Sequence, residues 1–133
     1  SGKVMNQAVG GYTKPIALVY NSIKSKWGET VSYESKLKDP FADELFKAVL
    51  QLQTIEECYR FFEDVCTIKE IQSISQRLAV ARMLKEGKTY SEIEKLTGAS
   101  TATISRVNRC LQYGADGYQL ILKRIADMDR ESS

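Results

Sequence analysis

The amino-acid sequence predicts an all-α domain of about six helices, and three observations carry that reading. From Phe41 onward apolar residues recur at steps of three and four, the spacing that lines one face of a helix. Pro15 and Pro40 are the only prolines, so the chain beyond residue 40 is free of the strongest helix breaker. Ser/Thr-x-x-Glu patterns, whose hydroxyl and carboxylate satisfy the exposed amides of a first helical turn, recur ahead of the apolar runs. At 133 residues the chain suits one compact domain and is short for two.

Residues 1–38 differ in character from the rest. Gly, Ser, Lys, Asn and Thr dominate, with Gly10, Gly11 and Pro15 as breakers, so this stretch is expected to be an irregular N-terminal arm. Ile16 to Tyr20 and Thr30 to Tyr33 are each open between a short strand and coil, and Trp27 argues for some packing. The helical domain is expected over residues 39–133. Its first helix carries Phe41, Leu45, Ala48, Val49 and Leu52. Thr54-Ile55-Glu56-Glu57 reads as a capping box opening a second helix that ends near Cys66. Thr67-Ile68-Lys69-Glu70 repeats the device for a third, with Ile71, Ile74, Leu78, Ala81 and Leu84 as its stripe and Gly87 as its stop. Ser91-Glu92-Ile93-Glu94 is read as the box of a two-turn helix stopping at Gly98. Ser100 caps a fifth helix reaching Tyr113 and closed by Gly114. Asp116 is expected to cap the last, which bears Tyr118, Ile121, Leu122, Ile125 and Met128.

Composition excludes several functions. There is no histidine, which removes histidine triads, Cys–His zinc sites and switches near neutral pH. Neither a P-loop nor a dinucleotide glycine pattern occurs, and no nucleophile stands beside a base, so no enzyme, metal site or cofactor is expected. No apolar run approaches the ~18 residues of a membrane span, and Ile16 to Tyr20 is too short for a signal-peptide core. Three cysteines without a C-x-x-C pair argue for a reducing, cytoplasmic setting, with Cys58 and Cys66 as buried thiols on the face of Ile55 and Phe62. The net charge of +2 hides an uneven distribution. Residues 39–76 carry three basic residues against eight acidic ones, whereas residues 77–113 carry seven against three. One basic third in a near-neutral chain suits a module that presents a single face to an anion.

The informative stretch is residues 90–113, YSEIEKLTGASTATISRVNRCLQY, which has the grammar of a helix-turn-helix. Apolar Ile93, Leu96, Ala99, Ile104 and Val107 are expected to hold two helices at a steep angle, and Gly98 to take a left-handed turn conformation. The second helix opens with small polar residues able to enter a major groove: Ser100, Thr101, Ala102, Thr103 and Ser105. Arg106 and Arg109 supply charge for phosphate or guanine, and Lys88 and Lys95 are candidate backbone contacts. Glu94 departs from the pattern, since such motifs usually place a small residue four positions before the turn glycine.

Residues from about Lys36 to Ile125 resemble the Trp-repressor-like YerC/YecD family, above all Cys66-Thr67-Ile68-Lys69-Glu70 and Gly98-Ala99-Ser100-Thr101-Ala102-Thr103-Ile104-Ser105-Arg106. The resemblance implies a bacterial transcription regulator that binds double-stranded DNA as an intertwined homodimer, with two recognition helices about 34 Å apart on a near-palindromic operator. It also implies positions for a ligand pocket. Thr67, Arg77, Thr103 and Arg106 keep the residue type of the tryptophan pocket, whereas Val107 stands for a glycine and Cys110 for a serine. A valine fills space that glycine leaves for a flat ring, and a thiol is a poor acceptor for an ammonium group, so tryptophan is not the expected effector. The alternative is a dimeric helical protein-interaction module, its acidic front half docking a partner and its helix-turn-helix vestigial.

Overall fold

A computed structural model describes residues 33–133. The expected arm over 1–38 therefore lies outside the described residues except for its last six, and the two candidate strands lie outside apart from Tyr33, which is coil. The described chain is all-α. Six helices follow in order, α1 (Pro40–Val49), α2 (Ile55–Val65), α3 (Ile68–Lys85), α4 (Tyr90–Thr97), α5 (Thr101–Tyr113) and α6 (Gly117–Glu131), with no strand among the described residues. The chain divides into two compact units, one ending at Cys58 and the other spanning Tyr59–Ser133.

In the first unit, Asp39 caps α1 by accepting from the Ala42 amide at 3.0 Å, and Pro40 takes the first turn, where its missing N–H costs nothing. Lys38 reaches Asp43 at 2.7 Å. The helix ends at Val49, earlier than the apolar spacing suggested, and Leu52 lies beyond it in a turn whose amide donates to the Val49 carbonyl. No residue of α1 is buried. At the start of α2 the Thr54 hydroxyl accepts from the Glu57 amide at 3.1 Å, but Glu57 reaches the amide of Gln53 rather than that of Thr54. The box is therefore only half formed.

The second unit holds the core: Val80 and Ala81 of α3, Ile93 of α4, Ala99 of the turn, Ile104, Val107 and Leu111 of α5, and Leu122 of α6. Met83, Leu84, Tyr90 and Tyr118 pack around them. α3 is the central element, in contact with α4, α5 and α6. Thr67 and Glu70 form the expected capping box, the Thr67 amide donating to Glu70 at 2.9 Å and the Glu70 amide to Thr67 at 3.1 Å. Gly87, at φ +83°, ends the helix in the left-handed conformation that a Cβ resists.

Several expectations are corrected. α4 begins two residues earlier than expected, because Thr89 rather than Ser91 caps it and pairs with Glu92 in a complete box. Two overlapping Ser/Thr-x-x-Glu patterns stood in the sequence, and the first is used. Asp116 makes no side-chain cap; it sits at φ +64°, a left-handed conformation that Asp tolerates better than most residues. The α3 stripe is split: Ala81 is buried and Leu84 packs against the core, joined there by Val80, whereas Ile71 is half-buried and Ile74 and Leu78 are exposed. Likewise only Leu122 of the α6 stripe is buried, while Cys58 and Cys66 are free and half-buried rather than sealed in a core. The exposed members of the α3 and α6 stripes lie on apolar faces that the chain's own folding leaves uncovered.

Candidate nucleic-acid interface

The helix-turn-helix rests on a short chain of backbone and side-chain bonds. The Gly98 amide donates to the Glu94 carbonyl at 2.9 Å, and Gly98 adopts φ +73°, which turns the chain sharply out of α4. The Thr97 hydroxyl donates to the Ile93 carbonyl at 2.7 Å and accepts from the Ala99 amide at 3.1 Å, stitching the turn to the end of α4. Gln76 of α3 donates to the Thr97 carbonyl at 3.1 Å, so the turn is also fixed to the central helix. Ser100 then caps α5 by accepting from the Thr103 amide at 3.2 Å. Ile93, Ala99, Ile104 and Val107 are buried between the two helices and α3, as the motif required. Leu96 does not join them. At 63% exposure it faces away from this chain.

Ile104, Val107 and Leu111 define the inner face of α5, and the residues on the opposite side of the wheel are all exposed: Ala102, Ser105, Arg106, Arg109 and Tyr113. No ion pair among the described residues engages Lys88, Lys95, Arg106 or Arg109, although the Lys88 ammonium, after the Thr89 amide and hydroxyl, helps lower the Glu92 carboxyl. Lys95 is exposed in the last turn of α4, while Lys88 is half-buried in the link before it, its amide donating to the Met83 carbonyl at 3.1 Å. Three small polar residues are already engaged within the protein. Ser100 both accepts the Thr103 amide and donates its hydroxyl to Thr103 Oγ1 at 3.1 Å, and Thr103 is half-buried. The hydroxyl of Thr101 donates to Glu94 across the turn. Farther along, Asn108 reaches the Tyr90 hydroxyl at 3.4 Å, giving a second polar tie between α4 and α5. Sequence reasoning missed Gln76, Tyr90 and Asn108, and it flagged Glu94 without finding its partner.

The candidate pocket residues are only partly assembled. Thr103, Arg106 and Cys110 share one flank of α5, with Val107 beside them but 1% exposed and packed into the core. Arg77 of α3 and Cys110 of α5 both act on Tyr118 of α6. Burial pushes the Tyr118 phenol up, the Arg77 guanidinium pulls it down, and the Cys110 thiol adds to the rise. Thr67 stands apart. Ten residues before Arg77 on one helix, it is about 15 Å away along the axis, and its hydroxyl is held in the capping box. Among the described residues no three Cys, Asp or Glu side chains gather to hold a metal ion, and no helix is long and apolar enough to cross a membrane.

A family model described as Trp repressor protein matches residues 42–126, which take in the whole helix-turn-helix and the core beneath it. The chain belongs to the Trp repressor family. Within that regulator family, the uncharacterized protein YerC of Bacillus subtilis (strain 168) is 60% identical over 98 residues, 74% of this chain and 94% of that protein. Two crystal structures are similar. A Trp repressor candidate from Staphylococcus aureus is 59% identical with a TM-score of 0.66, over 68% of this chain and 91% of that one. A TrpR-like protein from Eubacterium eligens ATCC 27750 is 56% identical with a TM-score of 0.67, over 70% and 96%. The Trp repressor family resemblance read from the Thr67 and Gly98 segments thus extends over most of the folded chain.

Proposed function

We propose that this chain is a sequence-specific DNA-binding transcription regulator that works in the cytoplasm as a homodimer and does not respond to tryptophan. The outer face of α5 carries the proposal. Ala102, Ser105, Arg106 and Arg109 stand exposed on a helix whose opposite face is locked into the core, so a rigid surface of small, polar and cationic side chains is offered to a groove. In this reading Arg106 and Arg109 fix the register on phosphate or read guanine, Lys88 and Lys95 touch backbone, and Thr101, Ala102 and Ser105 lie nearest the base edges. Ser100 and Thr103 shape the helix start.

The dimer reading is supported by apolar surface that one chain leaves open. Phe41, Leu50, Ile55, Tyr59, Val65 and Ile68 are all more than half exposed, far beyond the scattered apolar residues of an ordinary surface. A two-fold partner covering these faces would also set the spacing between the two copies of α5. Against tryptophan stands Val107: its side chain fills the core at the position where the family's pocket has glycine.

The test is an anisotropy titration of a duplex carrying a sequence the protein selects from random DNA, at ~150 mM salt, with and without L-tryptophan. Affinity at least ~10³-fold above that for random duplex, unchanged by tryptophan, is the expected result. Equal affinity for both duplexes would favour the protein-interaction reading, and tryptophan-dependent binding would restore the pocket.

A further inference from the structure

Glu94 occupies a position where a helix-turn-helix usually packs a small residue, and here its side chain is exposed. The side chain stays outside the helix contact, exposed, and reaches over the turn to the first residue of α5, where its Oε1 accepts the hydroxyl proton of Thr101. Thr101 is thereby fixed in one role. With its only proton committed to the carboxylate, its oxygen has lone pairs alone to offer. Among the described residues no donor occupies Oε2 of Glu94, and no cation pairs with it. The two side chains together form a patch of acceptors at the leading edge of the recognition helix. Its placement is held by buried Ile93 and Ile104 on either side of the turn and by the second tie between Asn108 and Tyr90.

An acceptor-only patch discriminates among bases by charge. In the major groove guanine shows two acceptors, thymine shows an acceptor and a methyl group, and adenine sets an acceptor beside its amino donor. Cytosine alone offers an amino donor with no acceptor on its own edge, and a carboxylate is its matching partner. A carboxylate near the duplex also weakens every contact with phosphate, so it disfavours DNA that does not return that donor. Resting on the DNA-binding reading above, we propose that Glu94, positioned by Thr101, is a specificity-determining residue that selects a cytosine at one position of each half-site.

The experiment is selection from randomised duplexes at ~150 mM salt with the full chain and with its E94A, E94Q and T101V variants, each checked for an unchanged melting curve. The wild-type chain should enrich a two-fold-symmetric site with cytosine fixed at one position per half-site. E94A should keep the rest of the site and lose that preference, by roughly tenfold or more, while binding random duplex more tightly. E94Q keeps the shape and adds a donor, so preference at the same position should move toward adenine. T101V should blur the position without moving it. A wild-type site that lacks the fixed cytosine, or one that E94A and E94Q reproduce unchanged, overturns the assignment while leaving sequence-specific binding intact. Failure of the wild-type chain to enrich any site overturns both.

Discussion

The side-chain amide of Gln76 donates to the main-chain carbonyl of Thr97 at 3.1 Å, in a half-buried setting, and so ties the helix-turn-helix to the middle of α3. Thr97 is the last residue of α4, and its carbonyl has no helical partner of its own. Gln76→Ala leaves that acceptor without its partner and should lower stability by about 1 kcal/mol. Denaturant unfolding checks this, and amide exchange over residues 97–104 should quicken more than exchange in α6. Equal quickening throughout would mean that Gln76 supports the whole unit and not the turn.

Two glycines should fail for different reasons. Gly98 has open space where a Cβ would stand but holds φ +73°, so Gly98→Ala pays in backbone conformation alone, about 1 kcal/mol. Gly114 has an ordinary φ, but its Cβ would lie 2.5 Å from the Cys110 carbonyl oxygen, which is backbone and cannot swing aside. Gly114→Ala should therefore unwind the last turn of α5, and Gly98→Ala should not. Chemical shifts of Cys110 to Tyr113 report the difference.

The capping box at the start of α4 gives a pH dependence with a defined sign. The Thr89 amide, 2.7 Å from Glu92, and then the Thr89 hydroxyl, hold the Glu92 carboxyl below the usual glutamate range. A lowered folded pKa means that the box stabilises fully above the unfolded glutamate pKa, and the effect is lost as pH falls through the folded value. The melting-temperature penalty of Thr89→Ala should be largest at neutral pH and shrink in acid. Carbon-detected titration of Glu92 should show its pKa rising in the variant. The same holds for Glu70 and Thr67 at the start of α3. A penalty independent of pH would assign the loss to the hydroxyl alone.

Much of this was legible in the sequence because it is local. Capping by Ser100 and Thr67, left-handed turns at Gly87 and Gly98, and the alternation of Ile104, Val107 and Leu111 with exposed neighbours each depend on residues a few positions apart. The tertiary partners were not legible. Gln76 and Thr97 are 21 residues apart, Asn108 and Tyr90 are 18 apart, and no pattern marks a glutamine or an asparagine as a cross-link. Apolar periodicity predicted amphipathic faces without fixing what covers them. Ile74 and Leu78 lie on one such face and are exposed, because periodicity records that a face is apolar and not what covers it.

That exposure supplies a test of the dimer. In a lone chain Ile68→Glu with Ile74→Glu would be nearly neutral, since surface changes rarely exceed ~0.5 kcal/mol. In an interlocked dimer the same pair should place charge in an apolar interface, convert the protein to monomer in sedimentation equilibrium, and sharply lower its melting temperature. An unchanged mass and melting curve would place the interface elsewhere.

Whether α5 reads a two-fold DNA site is tested by recovering bound fragments from a sheared bacterial genome at ~150 mM salt, with an Arg106→Ala, Arg109→Ala protein alongside. The wild-type chain should enrich a two-fold-symmetric sequence with half-sites about one helical turn apart, lost with the double variant although that protein folds normally. Diffuse, salt-labile enrichment shared by both proteins would contradict it.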